Sequence, residues 1–270
     1  MQFPRSVIVA SRFEFVAECG STNTELASLA AALDGEDWPD FSVLVTDHQT
    51  DGRGRLGRVW FAPPGQTLAI SVLLRPRLPA GEPLDIDHYG WLPLIAGMAM
   101  AKAIAPLVPS HSVSLKWPND VQVDGKKVSG LLGELLPGGR AVVMGAGLNL
   151  AIPEAELPTP ASTSLALNDV TLSGEELADA ALAGYLGHFS SLYGDFLRFG
   201  ADANSSGVLE QLDELCSTLG QQVKVSLPGG DELLGTAIAV DGAGRLNVKR
   251  STDGKVVAVA AGDVTHLRYE

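Results

Sequence analysis

Two cysteines in 270 residues, Cys19 and Cys216, stand far apart and match neither a redox nor a metal-ligand spacing. They read most simply as buried thiols in a reducing compartment, and a disulfide framework is excluded. Positive charge is also scarce. Lys and Arg number 19 against 32 Asp and Glu, a net charge of −13, which argues against nonspecific nucleic-acid binding. No basic segment followed by an apolar core opens the chain, so no signal peptide is expected. The most apolar stretch, residues 90–108, is broken by Pro93, Lys102 and Pro106 and reads as a buried helix, not a membrane span. The histidines (His48, His88, His111, His188 and His266) show no ligand spacing, so no protein-held metal is expected. Walker spacing, the dinucleotide glycine fingerprint and internal repeats are all missing. What is present, 46% hydrophobic and 19% charged residues, suits a cytoplasmic enzyme with one large domain and a small appendage.

Against that acidic background, residues 46–58 stand out. Three glycines (Gly52, Gly54, Gly57) alternate with three arginines (Arg53, Arg55, Arg58) between apolar runs at 41–45 and 59–61, both read as strands. Glycine allows close backbone approach and positive φ, and arginine supplies a fork of donors suited to phosphate or carboxylate. A loop wrapping a small anion is the favoured reading, with a solvated hairpin loop as the alternative.

Other elements follow in order. Residues 13–16 suggest a short strand. Ser21, Thr22 and Asn23 open a helix, Thr22 and Glu25 having capping-box spacing, with Leu26, Leu29, Ala30 and Leu33 on one face. These polar residues could serve a ligand at the helix N-terminus; capping alone is the simpler reading. A central strand is predicted over 67–75 and a helix over 91–105. In the strand at 113–117, Lys116 precedes the Pro118-Asn119-Asp120 turn, where rigid backbone would hold a charge-neutralising lysine; an ordinary surface lysine is the alternative. A hairpin over 121–136 contains Gly130 and Gly133, and the strand at 141–150 contains Gly145, Gly147 and Asn149. Such glycines floor a pocket or ease sheet twist. After a Pro-rich loop, a long helix is expected from a capping box at 173–176 to about residue 199, then another over 205–219. From residue 221, short strands alternate with turns, the pattern of a small β-barrel, placing a boundary near Gly220.

Several of these stretches together resemble the biotin protein ligases over nearly the whole chain. They are Gly20-Ser21-Thr22-Asn23, His48-Gln49-Thr50 with the Gly-Arg loop, Lys116-Trp117-Pro118-Asn119-Asp120, Gly125-Lys126-Lys127 with Gly130 to Glu134, and Gly145-Ala146-Gly147-Leu148-Asn149. The resemblance implies an α+β fold: a mixed, largely antiparallel sheet flanked by helices over 1–219, and a small SH3-like β-barrel over 220–270. It implies an ATP-dependent ligase that makes biotinyl-5′-AMP from biotin and MgATP. Biotin then passes to one lysine of the biotin carboxyl carrier domain of acetyl-CoA or a related acyl-CoA carboxylase. Carried over residue by residue, biotin would meet Ser21, Thr22, Asn23, Gln49, Gly52, Arg53, Gly54, Arg55, Lys116, Gly130, Leu132 and Gly133. The nucleotide would meet Arg53, Arg55, Arg58, Trp60, Asn119, Lys127, Asn149 and Arg268. Lys116, Arg53 and Arg55 would carry the catalysis, by positioning and fixed positive charge between two anions.

Two positions depart from the family pattern: Asp51, where a small residue is usual, and Leu56, where a basic one is common. Only about 20 residues precede Ser21, too few for a winged helix-turn-helix, so the resemblance is to the ligase-only class. No nucleic acid or membrane partner is expected, and the state is a monomer or weak homodimer. A lipoate or octanoate ligase of the same superfamily, or a nucleic-acid-binding regulator, is the competing reading.

Overall fold

Every residue of the apolar run predicted at 67–75 that joins a strand is buried, because that strand lies between two paired neighbours, with one face on the main core and the other partly covered. The computed structural model describes residues 1–31, 37–227, 231–260 and 262–266. Its main sheet has seven strands: β1 (Arg12–Phe15), β2 (Ser42–Thr46), β3 (Thr67–Leu74), β4 (Val113–Lys116), β5 (Asp120–Val123), β6 (Lys126–Leu135) and β7 (Val142–Asn149). They run in the order β1-β2-β3-β7-β6-β5-β4. Only the β1–β2 pair is parallel.

Alternation along the strands assigns each face. Leu68, Ile70, Val72 and Leu74 join the large core beneath the helices α2 (Trp91–Ile104) and α3 (Gly174–Arg198). Leu73 points the other way, into a smaller cluster with Leu26, Trp38, Leu44 and Val143 beneath α1 (Thr22–Ala31). The second face is only partly covered, and its uncovered end is where a ligand can enter. Helix α2 is apolar all round except at Lys102 in its last turn, as suits a helix enclosed by core. Pro93 falls in its first turn, where no intrahelical N–H bond is lost. Burying each of Leu92, Leu94 and Ile95 contributes ~1.5–3 kcal/mol.

Local signals were met unevenly. The capping box expected at 173–176 does not form: Ser173 is extended and its side chain makes no capping bond. Further along α3, the buried carboxylate of Asp179 accepts from the backbone N–H of Arg5 and Ser6 and from Ser6 Oγ, tying down the N-terminal segment. The strand expected at 59–61 is reduced to one bridge, Val59 to Arg53, and Val59 stays exposed, with no sheet edge for the segment to join. The helix expected over 205–219 is the shorter α4 (Val208–Leu215), after which Cys216 bridges to Leu115. Leu33 lies outside the described residues.

The C-terminal strands are β8 (Gln222–Ser226), β9 (Glu232–Val240), β10 (Leu246–Arg250), β11 (Val256–Val259) and β12 (Asp263–His266). They form an antiparallel sheet ordered β11-β10-β9-β8-β12. The sequence suggested a small SH3-like β-barrel; the strands form a small antiparallel sheet, and among the described residues no pairing joins β11 to β12. Both edges are four residues long, and each spends its hydrogen bonds on one partner. This sheet docks tightly. The indole N–H of Trp91 donates to Gly242 O at 2.9 Å and that of Trp117 to Gly244 O at 3.3 Å. A Cβ on Gly90 would lie 2.3 Å from Ala243 O, so only glycine lets the turn approach this closely.

Candidate active site

The uncovered face of the main sheet, the N-terminus of α1 and the Gly-Arg loop enclose one cleft. Strand register sets its floor. Ser71 on β3, Gly145 on β7 and Leu132 on β6 form one row. Ala69, Gly147 and Gly130 form the next row, ~7 Å along the strands. The glycines are needed for space. A Cβ on Gly145 would lie 2.4 Å from Asn23 Oδ1, and one on Gly147 would lie 2.2 Å from the Trp60 ring. Gly52 is required for the same reason, since a Cβ there would lie 2.5 Å from Trp60 O and 2.7 Å from Gln49 Nε2. Of the two expected reasons for the loop glycines, positive φ applies only to Gly57, which adopts it together with exposed Leu56.

One end of the cleft is neutral and polar. Gln49 Oε1 accepts from the Thr22 N–H at 3.0 Å and from Thr22 Oγ1 at 3.3 Å, and Ser71 Oγ lies 2.8 Å from Thr22 Oγ1. Ser21 and Gln49 Nε2 make no side-chain hydrogen bond among the described residues, so they remain available to a ligand. Asn23 is different. Its Oδ1 accepts from Ser71 Oγ at 2.6 Å, and its Nδ2 donates to Leu132 O and Glu134 Oε1. Both amide hydrogens are used inside the protein, so Asn23 shapes this end and has no donor to spare.

The other end is cationic. Lys127 Nζ lies over the Gly130 backbone, 2.6 Å from Asp120 Oδ1 and 5.5 Å from the centre of the Trp60 ring. Arg55 donates to Asn119 Oδ1 at 2.9 Å and to Gly262 O at 3.2 Å, tying the loop to the turn after β4 and to the C-terminal sheet. Burial lowers the pKa of its guanidinium, with Asp120 opposing and Arg58 adding to the effect. An arginine so placed keeps its charge at neutral pH. Arg58 also lines this cleft. The buried indole N–H of Trp60 has no partner among the described residues, a donor that a bound molecule would satisfy.

The structure gathers Ser21, Thr22, Asn23, Gln49, Arg53, Gly54, Arg55, Arg58, Trp60, Asn119, Lys127, Gly130 and Leu132 around the cleft. Others named from sequence stand apart. Gly52 lies behind the lining. Gly133 alternates to the opposite sheet face, where a Cβ would meet Met144, so it cannot share the cleft with Leu132. Asn149 is buried with its amide on Thr163 O. Arg268 lies outside the described residues.

Lys116, expected at the reacting carboxylate and phosphate, is not among the residues that line the cleft. It ends the edge strand β4 outside the lining, while Lys127 occupies the wall. Burial lowers its pKa, with Asp120 raising it and Lys127 lowering it further, so it lies within electrostatic reach of that ion pair. Arg53 lines the cleft with its side chain already paired. One terminal nitrogen meets Thr24 Oγ1 at 2.6 Å and both Glu134 oxygens at 3.1 and 3.2 Å, at the Asn23 end of the cleft. Sequence reasoning missed Asp120, Glu134, Ser71 and Thr24 as site residues. Alternation on β3 and β6 was the signal that could have found Ser71 and Glu134. Asp51, the unusual loop residue, is exposed and does not line the cleft.

Comparison with known proteins agrees with this geometry. Residues 18–149 match the biotin/lipoate A/B protein ligase family, and residues 218–267 match the biotin protein ligase C-terminal domain. The chain is 35% identical to the biotin–[acetyl-CoA-carboxylase] ligase of Mycobacterium tuberculosis, across 95% of this chain and 90% of that protein. It is 30% identical to the bifunctional ligase/repressor of Bacillus subtilis over 60% of this chain but only 49% of that protein. Among solved structures, the biotin protein ligase of Aquifex aeolicus in complex with biotin and ATP superposes with TM-score 0.70 at 25% identity, covering 96% of this chain and 100% of that one. That of Leishmania major in complex with biotinyl-5-AMP gives 0.60 at 25% identity, covering 93% and 99%. A cleft with one neutral and one cationic end, in a chain so matched along its length, belongs to a member of the biotin protein ligase family.

Proposed function

We propose that the cleft joins biotin to ATP as biotinyl-5′-AMP and passes the biotinyl group to a lysine of a biotin carboxyl carrier domain of acetyl-CoA or a related acyl-CoA carboxylase. The two-ended cleft carries this reading. A ureido ring has one acceptor and two donors, and Ser21, Thr22 and Gln49 present both kinds of partner at the neutral end. The valeryl chain then runs past Trp60 and places its carboxylate beside Lys127, Arg55 and Arg58.

In the first step a carboxylate oxygen attacks the α-phosphorus of ATP and pyrophosphate leaves. Two anions must meet, so fixed positive charge lowers the barrier most effectively. Asp120 holds the Lys127 ammonium in place. Mg²⁺ enters with the triphosphate as part of the substrate. In the second step the acceptor amine attacks the acyl carbon and AMP departs. The loop must therefore exclude water and later admit the acceptor. Its ties through Arg53 and Arg55 are side-chain bonds, which can break without unfolding a strand.

This reading includes a cytoplasmic location, action as a monomer or weak homodimer, and a division of the chain at residue 220. The test is incubation with biotin, ATP and Mg²⁺, followed by detection of biotinyl-AMP and pyrophosphate, then label transfer to a carrier domain. Equal use of lipoate and biotin would reject the substrate. A lipoyl dithiolane has no N–H or C=O for the neutral end, and each buried group left unpaired costs ~1–3 kcal/mol.

A further inference from the structure

We infer that Glu134 is a positioning residue that clamps the Gly-Arg loop over the neutral end of the cleft, and so sets how firmly the biotin end of the ligand is held. This rests on the reading of the cleft given above. Glu134 lies on β6 opposite Val143, on the sheet face shared with Leu132 and Gly130. Its backbone position is four residues from Gly130, ~13 Å along the strand, so it sits away from the cationic end.

Glu134 has two partners on different elements. Oε1 accepts from Asn23 Nδ2 at 2.9 Å, at the start of α1. Both oxygens accept from Arg53 at 3.2 and 3.1 Å, on the loop. Asn23 is itself fixed by Ser71 on β3 and Leu132 O on β6. The loop is therefore pinned, through one carboxylate, to a helix start that is stitched to the sheet. Arg53 spends a single terminal nitrogen on these contacts and on Thr24. Its other terminal nitrogen and Nε make no hydrogen bond among the described residues.

The arrangement gives Arg53 a different task from Lys127. An arginine paired with a carboxylate is nearly neutralised, which makes it a poor partner for a reacting anion and a good latch. The pair is partly exposed, with side chains 44% and 30% accessible, so it is weak enough to open during turnover.

Steady-state kinetics on Glu134→Gln test the assignment, because glutamine keeps an acceptor for Asn23 and loses the ion pair with Arg53. The expected result is a KM for biotin raised ~5-fold, matching loss of a pair of modest strength, with kcat and the KM for ATP within ~2-fold. Release of preformed biotinyl-AMP should quicken by the same factor. In a double-mutant cycle, Arg53→Ala with Glu134→Gln should release the adenylate no faster than Arg53→Ala alone. An unchanged biotin KM, or additive effects in the cycle, would overturn the inference. A merely structural role would instead lower Tm and shift both KM values, and glutamine would not restore one selectively. If the parent protein forms no biotinyl-AMP at all, it is the functional reading that fails, and that outcome is separable from a parent that is active and a variant that is indifferent.

Discussion

Replacing Lys127 by alanine should damage adenylation far more than replacing Lys116, even though Lys116 begins the Lys-Trp-Pro-Asn-Asp stretch. Lys127 lines the cleft beside Trp60 and Gly130. Losing a fixed charge aimed at a developing anion costs ~3 kcal/mol, about a hundredfold in rate. A second penalty follows, because Asp120 loses its 2.6 Å partner beside an anion site. At an effective dielectric of ~20, a carboxylate ~5 Å from a phosphate is repelled by ~3 kcal/mol. Asp120 is 27% exposed, and screening cuts this to ~1 kcal/mol. Lys127→Ala should therefore slow adenylation by about 10³, and adding Asp120→Asn should recover about fivefold. Lys116→Ala removes a charge that repels Lys127 from outside the lining, so its effect should stay below about tenfold. Rapid-quench single-turnover formation of radiolabelled biotinyl-AMP measures both rates, and calorimetry gives biotin affinity separately. A Lys116→Ala enzyme slower than Lys127→Ala would refute the placement of the reacting carboxylate.

Gly147→Ala should push the Trp60 ring out of position, since the added Cβ would meet it at 2.2 Å. Overpacking of ~1–3 kcal/mol should appear as ~10-fold weaker biotin binding by calorimetry. Asp179→Ala strands the buried Ser6 N–H and the part-buried Arg5 N–H, while Ser6 Oγ keeps the Asp179 carbonyl, and chemical denaturation should show a loss of ~1–3 kcal/mol. His111 lies 2.6 Å from Asp124 and 3.3 Å from Asp169, linking the β4 approach to the β5–β6 turn. The Asp124 hydrogen bond leads in raising the His111 pKa, and the His111 bond leads in lowering that of Asp124. Stability from His111 is full below its ordinary value near 6.5 and fades as pH rises through its raised value. Stability from Asp124 is full above about 3.8 and fades as pH falls through its lowered value. The Tm gap between parent and His111→Gln should thus be wide at pH 5.5 and narrow at pH 9.

The sequence made the elements legible wherever one period dominated. The apolar runs of β2, β3 and β7, the enclosed helix α2 and the polar start of α1 all follow from pattern. Which residue faces the cleft was harder to read. The family resemblance brought Leu132 and Gly133 to biotin together, although neighbours on a strand point to opposite faces. Lys116 and Lys127 both flank turns, and only register, with a shift between Val121 and Gln122, brings Lys127 over Gly130. Asn23 looked like a ligand donor until Leu132 O and Glu134, more than a hundred positions away, consumed both its hydrogens. Non-local partners of that kind leave no trace in local spacing.

The docking of Trp91 and Trp117 onto the 241–245 turn divides the intrinsic fluorescence of this protein by location. Of its four tryptophans, Trp60 alone lines the cleft. Trp91 and Trp117 hold their indole N–H groups against carbonyls of the C-terminal sheet. Trp38 sits elsewhere, beneath the Arg12 guanidinium at 4.0 Å. Emission lost on ligand addition and abolished by Trp60→Phe would report filling of the cleft. A red shift that survives Trp60→Phe would report water reaching the other indoles as the C-terminal sheet lifts away. One untagged sample thus offers two optical channels, one for occupancy and one for docking of the sheet that also anchors Arg55.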